Sequence, residues 1–125
     1  GDHRDLTSFP TRRSSDLLCF DTAHGFVTGQ RLTTKDDVSE FIRDAKDLPI
    51  RALHLNGSLS YYNSGRDLHA ITMSPEDKIW GKDYGGLTLL LQWARDNDIF
   101  IILERGISTM DEYEKEILQL RALLG

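Results

Sequence analysis

The sequence has a single cysteine, Cys19, which excludes an internal disulfide framework and predicts a reducing, intracellular compartment. It has no apolar run near the roughly 18 residues of a membrane span, and its charged N-terminus lacks the apolar segment of a signal peptide. The net charge of -5 argues against a generally basic nucleic-acid-binding surface. DNA binding is not excluded, because bound metal ions supply local positive charge that a residue count omits.

At 125 residues the chain is long enough for one domain at most. Residues 1–17 differ from the rest, because they contain few apolar side chains and follow no period of 3.6 or 2. The stretch Ser8–Leu17 resembles a common sequencing-library adapter translated in one frame, and Gly1–Leu6 fits the same adapter further upstream. We therefore predict a non-native or disordered leader over 1–17, fused to the domain-forming segment 18–125.

Within this segment, short apolar runs alternate with helical patterns. Strands are predicted at Leu18–Asp21, Arg51–Leu55 and Ile99–Leu103, and helices at about Lys35–Leu48, Gly86–Asp96 and Thr109–Leu123, with long loops at His24–Thr34 and Asn56–Tyr84. Alternating, nearly continuously apolar strands and helices indicate a parallel sheet covered by helices. The predicted fold class is therefore α/β, with three βα units that fit part of a (β/α)8 TIM barrel.

Each predicted strand ends on or next to a metal-type ligand. Asp21, His54 and Glu104 have the same strand parity and fall at the carboxyl ends of the strands, where barrel sites lie. All three suit zinc or manganese. Taken singly, a strand-end aspartate such as Asp21 is more often a helix-cap or turn acid, and a histidine such as His54 is more often a hydrogen-bonded core residue. Glu104 follows an apolar run, and a buried carboxylate is costly unless it is paired or metal-bound.

A second candidate set lies in the loops. Asp67 and His69 are two residues apart, so in an extended segment both point the same way and can chelate one ion, with His24 as a third ligand. An ordinary polar loop is the competing interpretation. Cys19 is predicted to be a small core residue. The long loop also carries aromatic residues that either stack on a base or sugar or pack against the scaffold: Tyr61, Tyr62, Trp80 and Tyr84.

Four motifs, in order, resemble those of the endonuclease IV family of metal-dependent apurinic/apyrimidinic (AP) endonucleases. Phe20–Gly29 resembles the signature Asp-Thr-Cys-His-x-Phe-x-x-Gly, and His54–Ser58 resembles His-Leu-Asn-Asp-Ser. Gly65–His69 is similar to Ser-Arg-x-Asp-Arg-His, and Ile102–Glu104 to the segment ending Leu-Glu-Thr. Order and spacing agree from Leu18 to about Leu124.

The resemblance implies a xylose-isomerase-like TIM barrel with three zinc ions, of which this chain would form about the last three βα units. It assigns metal ligands in two sets: His24, Asp67 and His69 for one zinc, and Asp21, His54 and Glu104 for a second. The family completes the second site with a bridging glutamate from an earlier strand, which this chain lacks. It also lacks the two upstream histidines that mainly hold the third zinc and the early loops that penetrate DNA.

Three positions depart from the motifs. Ala23 replaces a cysteine that is not a ligand, and Leu68 replaces an arginine suited to a phosphate contact. Gly57 replaces an aspartate, which removes a carboxylate near the metals and is expected to alter the support of His54. The stretch Met73–Trp80 has no counterpart in the family pattern.

The implied activity of the parent protein is zinc-dependent hydrolysis of the DNA phosphodiester 5′ to abasic sites, in base excision repair. The implied partner is double-stranded DNA with abasic sites, the intact protein would be a monomer without membrane association, and no catalytic residues are implied beyond the metal ligands. The 125-residue chain itself is expected to be inactive. The alternatives are a divalent-metal sugar isomerase or epimerase of the same barrel class and a non-functional truncated remnant.

Overall fold

A computed structural model describes residues 17–80, 83–103 and 109–125 of the chain. The predicted leader, apart from Leu17, lies outside these ranges, as does Glu104. The elements in chain order are β1 Leu18–Asp21, α1 Thr22–Val27, α2 Lys35–Ala45, β2 Ile50–His54, β3 Gly57–Ser58, β4 His69–Ala70, α3 Gly85–Asp96, β5 Phe100–Ile102 and α4 Met110–Leu124.

The main sheet has three strands in the order β1-β2-β5, and both pairings are parallel. This confirms the parallel α/β arrangement predicted from the alternation of apolar runs and helices. Asp21 pairs in register with His54, and His54 pairs with Ile102. The carboxyl ends of the three strands therefore meet at one edge of the sheet, which is where the candidate ligands were expected.

Helices α2 and α3 pack together and cover one face of the sheet. Phe20 and Leu53 point from the strands into this layer, where the ring of Phe20 lies 4.7 Å from that of Phe41, centroid to centroid. Thr34 and Thr109 each form a capping box, at the starts of α2 and α4. Burial of this apolar layer and the caps together explain why these segments are helical.

The opposite face of the sheet is open in the described part of the chain. Cys19 is exposed and Phe100 is 74% exposed, although both lie on strands. The prediction that Cys19 is a small core residue is therefore wrong. Its parity places it opposite the helix layer, and no described element covers that side of β1.

Two predicted loops contain secondary structure. The segment predicted as a loop from His24 begins inside α1, and the long irregular segment Asn56–Tyr84 contains the antiparallel pair β3–β4. Helix α1 has six residues, and strands β3 and β4 have two each. Segments this short show no hydrophobic period from which they could be predicted. None of the described helices is long and apolar enough to cross a bilayer.

Candidate metal centre

Asp21 ends β1 and also begins α1. Its Oδ1 accepts hydrogen bonds from the backbone N–H groups of Ala23 at 2.9 Å and His24 at 3.1 Å, so it is the N-cap of the helix. The helix-cap interpretation of this residue is therefore correct. It does not exclude a ligand role, because Oδ2 makes neither of these bonds and lies 3.6 Å from His69 Nε2.

Helix α1 lies close over the sheet and presents His24 at its edge. A Cβ added to Gly25 would lie 2.4 Å from the ring of Phe20, so only glycine allows this approach. The prediction of a loop from His24 is therefore wrong at its start. Asp21 as the N-cap and the absence of a side chain at Gly25 together permit a helical turn there. His24 projects from this turn and is half-exposed.

Thr22 joins the ends of β1 and β2. Its hydroxyl donates to the carbonyl oxygen of Asn56 at 2.7 Å and accepts from the N–H of Asn56 at 2.8 Å, and both residues are buried. The side-chain amide of Asn56 also donates to Asp21 Oδ1 at 3.4 Å. This reciprocal pairing fixes the segment that carries Asp21 and His24 against the segment that follows His54.

The loop that leads to Asp67 is docked onto the end of α1. The hydroxyl of Tyr62 donates to the carbonyl oxygen of Gly29 at 3.0 Å, and its ring packs edge-on against Phe26. The guanidinium of Arg31 lies over the same ring, with its central carbon 4.1 Å from the ring centroid. Backbone N–H groups of the same loop reach carbonyl oxygens of α1, with bonds of 3.1 and 2.8 Å. The loop is therefore held beside His24.

Four of the six predicted ligands meet at the carboxyl end of the sheet. Asp67 Oδ2 lies 3.4 Å from His24 Nδ1, and Asp67 Oδ1 lies 3.1 Å from His69 Nε2. Asp21 Oδ2 joins the cluster through His69. The predicted trio of His24, Asp67 and His69 is thus brought together, although its members come from a helix, a loop and a short strand.

The other two predicted ligands are placed less completely. His54 stands beside Asp21 in the register of the sheet and shares its face, and it is half-buried. Glu104 lies outside the described residues, two positions beyond the end of β5. The alternative of a core histidine for His54 stays open, because its side chain is neither fully buried nor fully exposed at the site.

The donor types of the cluster, imidazole nitrogen and carboxylate oxygen, are ones that zinc binds. Two imidazoles and two carboxylates are a zinc donor set, and atoms that share one tetrahedral zinc at about 2.0–2.1 Å lie about 3.3 Å apart. The three observed separations range from 3.1 to 3.6 Å. Within the described residues, however, no group of three or more His, Cys, Asp or Glu side chains converges around a single point. Asp67 faces His24 with Oδ2 and His69 with Oδ1.

The aromatic residues of the long loop have distinct environments. Trp80 is fully buried and its indole N–H lies 3.4 Å from the carbonyl oxygen of Asn56, so it packs against the scaffold. Tyr62 and Tyr84 are half-buried and pack on the core. Tyr61 is 70% exposed, with the ammonium of Lys78 5.4 Å from its ring centroid. Among the four, only Tyr61 is free enough of the scaffold to stack on a ligand.

The chain is similar to two curated proteins. It is 30% identical to the probable endonuclease 4 of Symbiobacterium thermophilum over 114 residues, which are 86% of this chain and 38% of that protein. It is 28% identical to apurinic-apyrimidinic endonuclease 1 of Schizosaccharomyces pombe over 115 residues, 86% of this chain and 31% of that protein. The chain therefore spans about a third of the length of these relatives. No protein-family model matches it.

Two solved structures are also similar to the chain. A crystal structure of AsfvAP:AG matches with a TM-score of 0.74 and 26% identity, covering 92% of this chain and 43% of that one. Endonuclease IV from Thermus thermophilus matches with a TM-score of 0.63 and 24% identity, covering 85% of this chain and 38% of that one. The second likeness shows the fold alone.

Some residues that shape the site were not singled out from the sequence. Thr22 and Asn56 lie inside the motifs, so their position beside predicted ligands was a signal. Tyr62 was named among the loop aromatics, but its bond to Gly29 depends on the folded loop. The motif resemblance itself is confirmed by the named relatives. The chain is thus similar in sequence to about a third of an endonuclease 4 and of an AP endonuclease, and similar in fold to part of two solved structures.

Proposed function

We propose that this chain is the C-terminal, metal-binding part of an endonuclease IV-like enzyme that cleaves DNA 5′ to abasic sites. The observation that carries the proposal is the position of Asp67 between His24 and His69, with Asp21 against His69. The names of the relatives support a DNA-cleaving hydrolase and favour it over a sugar isomerase. The segment 18–125 would then form about three βα units of a (β/α)8 barrel, and 1–17 would be a leader outside it.

In this proposal His24, Asp67 and His69 would hold one zinc, and Asp21, His54 and Glu104 would contribute to a second. Zinc bound there supplies a Lewis acid that activates water and stabilises the charge that develops on phosphate and leaving oxygens. The residues of the chain have preparatory roles. Asp21 keeps Oδ1 on the helix cap and offers Oδ2 to the site, so the cap orients the carboxylate. Tyr62 and Thr22 hold the loop and the strand ends at fixed separations.

We also propose that the 125-residue chain does not cleave abasic DNA by itself. It covers 38% and 31% of its two curated relatives, and the family pattern places further ligands outside the matched part. A double-stranded DNA with one abasic site would be the substrate of the intact protein. Zinc binding by the chain and incision by the chain are therefore separate questions.

The test measures zinc by competition with a chromogenic chelator, and incision with a labelled duplex containing one abasic site. We expect one tightly bound zinc per chain, at least tenfold weaker binding in Asp67→Asn and His69→Ala, and no incision. Asp47→Asn is the matched control, because Asp47 is exposed and precedes β2 at the opposite end of the sheet. Equal zinc affinity in Asp67→Asn and the control would refute the ligand set. Zinc-dependent incision by the chain would refute its inactivity.

A further inference from the structure

The space beside Gly57 is already occupied by the side chain of another residue. A Cβ built on Gly57 would lie 2.5 Å from Cγ of Asp77 and 2.6 and 2.7 Å from its two carboxylate oxygens. The backbone of Gly57 is not in the left-handed region, so the requirement for glycine comes from space and not from conformation. The carboxylate of Asp77 therefore stands where a side chain at position 57 would begin.

This carboxylate accepts hydrogen bonds from three backbone N–H groups. Oδ1 accepts from Ser58 at 3.0 Å and from Ile79 at 2.9 Å, and Oδ2 accepts from Met73 at 3.2 Å. A further backbone bond of 2.8 Å joins the N–H of Lys78 to the carbonyl oxygen of Ser58. Asp77 thus ties the segment Met73–Trp80 to β3, and bonds to an ionised acceptor are stronger than neutral ones.

Strand β3 is the direct neighbour of the strand that carries His69. In the antiparallel pair β3–β4, Ser58 lies opposite His69 and Gly57 lies opposite Ala70. The residue that Asp77 holds is therefore the one paired with His69, whose imidazole contacts Asp67 and Asp21. A two-stranded pair of two residues each is marginal on its own, so it needs support from outside the ladder.

We propose that Asp77 is a positioning residue that supplies, from the segment Met73–Trp80, the carboxylate that the family motif carries at position 57. Gly57 and Asp77 form one unit: the glycine makes room, and the aspartate holds β3 and, through it, His69. The segment without a counterpart in the family pattern thereby has a function. The consequence for metal binding rests on the proposed function above, whereas the fit of Asp77 against Gly57 does not.

The first experiment is a double-mutant cycle on the metal-free chain, read by urea denaturation. Asp77→Ala removes the acceptor of three N–H groups and should lower the folded-to-unfolded ratio about 30-fold. Gly57→Asp should lower it about tenfold or more, because the new side chain meets Asp77. In the Asp77→Ala background the same Gly57→Asp change should cost less than threefold or restore stability. As a control, Asp47→Ala should leave the cost of Gly57→Asp unchanged.

The second experiment measures the position of His69. Zinc affinity should fall about tenfold in Asp77→Ala, fall less in Asp77→Asn, and recover in the Gly57→Asp, Asp77→Ala double variant. The side-chain NMR signals of His69, assigned with His69→Ala, should shift in Asp77→Ala without metal and return in the double variant. This second readout remains informative if the chain binds no zinc, an outcome that overturns the proposed metal ligands alone. Additive costs in the cycle, or unshifted His69 signals in Asp77→Ala, would overturn the role of Asp77.

Discussion

Replacing Thr22 with valine should separate the two strand ends that carry the site. Valine matches threonine in shape, so the change removes the hydroxyl without leaving a cavity. The N–H of Asn56 loses its 2.8 Å acceptor and the carbonyl oxygen loses a 2.7 Å donor, both in a fully buried environment. Leaving a buried polar group unsatisfied costs about 1–3 kcal/mol.

The carbonyl oxygen of Asn56 still receives the indole N–H of Trp80, so the larger share of the cost falls on the N–H group. We therefore expect Thr22→Val to lower the free energy of unfolding by about 2–3 kcal/mol. Thr22→Ser keeps the hydroxyl and loses one methyl group, at a cost of about 1 kcal/mol. The free energy of unfolding should therefore be lowest for Thr22→Val, intermediate for Thr22→Ser and highest for the wild type. This order distinguishes the loss of the hydrogen bonds from the loss of a methyl group.

The assay is urea denaturation of the metal-free chain, followed by circular dichroism at constant protein concentration. Thr28→Val is the matched control, because Thr28 is half-exposed at the end of α1 and its hydroxyl donates only to carbonyl oxygens of that helix. We expect this control to change stability by about 0.5 kcal/mol or less. If Thr22→Val differs from Thr28→Val by less than that amount, the pairing with Asn56 does not stabilise the fold as argued.

Two further predictions concern the contacts that hold the remaining elements. Glu116 is buried on α4 and its Oε2 accepts from the hydroxyl and N–H of Thr72, at 2.6 and 3.2 Å, so Glu116→Ala should cost about 2–4 kcal/mol in urea denaturation. The exposed neighbour Glu114 is the control, and an equal effect of Glu114→Ala would contradict this role. Tyr62→Phe removes only the hydrogen bond to Gly29, so it should lower the free energy of unfolding by about 1 kcal/mol. It should also weaken zinc binding, measured by competition with a chelator. Unchanged zinc affinity would show that this bond does not hold the loop in place.

The open face of the sheet explains one difference between expectation and structure. Parity correctly separated Leu18 and Phe20 from Cys19 and Asp21, since the first pair is buried in the helix layer. Parity does not say whether the second face is covered, because cover comes from other elements. Cys19 is exposed for this reason, and Asp21 and His54 share the same open face.

The candidate site shows the same division. The motifs predicted the types of ligand and their order along the chain. The sheet register places Asp21 beside His54 as expected. The sequence did not predict the conformation of the segments between the strands. His24 lies on a helical turn that depends on the contact of Gly25 with Phe20. No local sequence pattern predicts that contact.

What the sequence alone determined is the set of local features: three apolar strands, three helices, the family motifs and the parity of the residues at the strand ends. These depend on side chains close together in the chain, so spacing is enough to predict them. Only the tertiary structure decided how Asp67 contacts His24, that Asp77 fills the space beside Gly57, and that Cys19 is exposed. Such contacts join segments distant in sequence, and the packing of the whole domain sets their geometry.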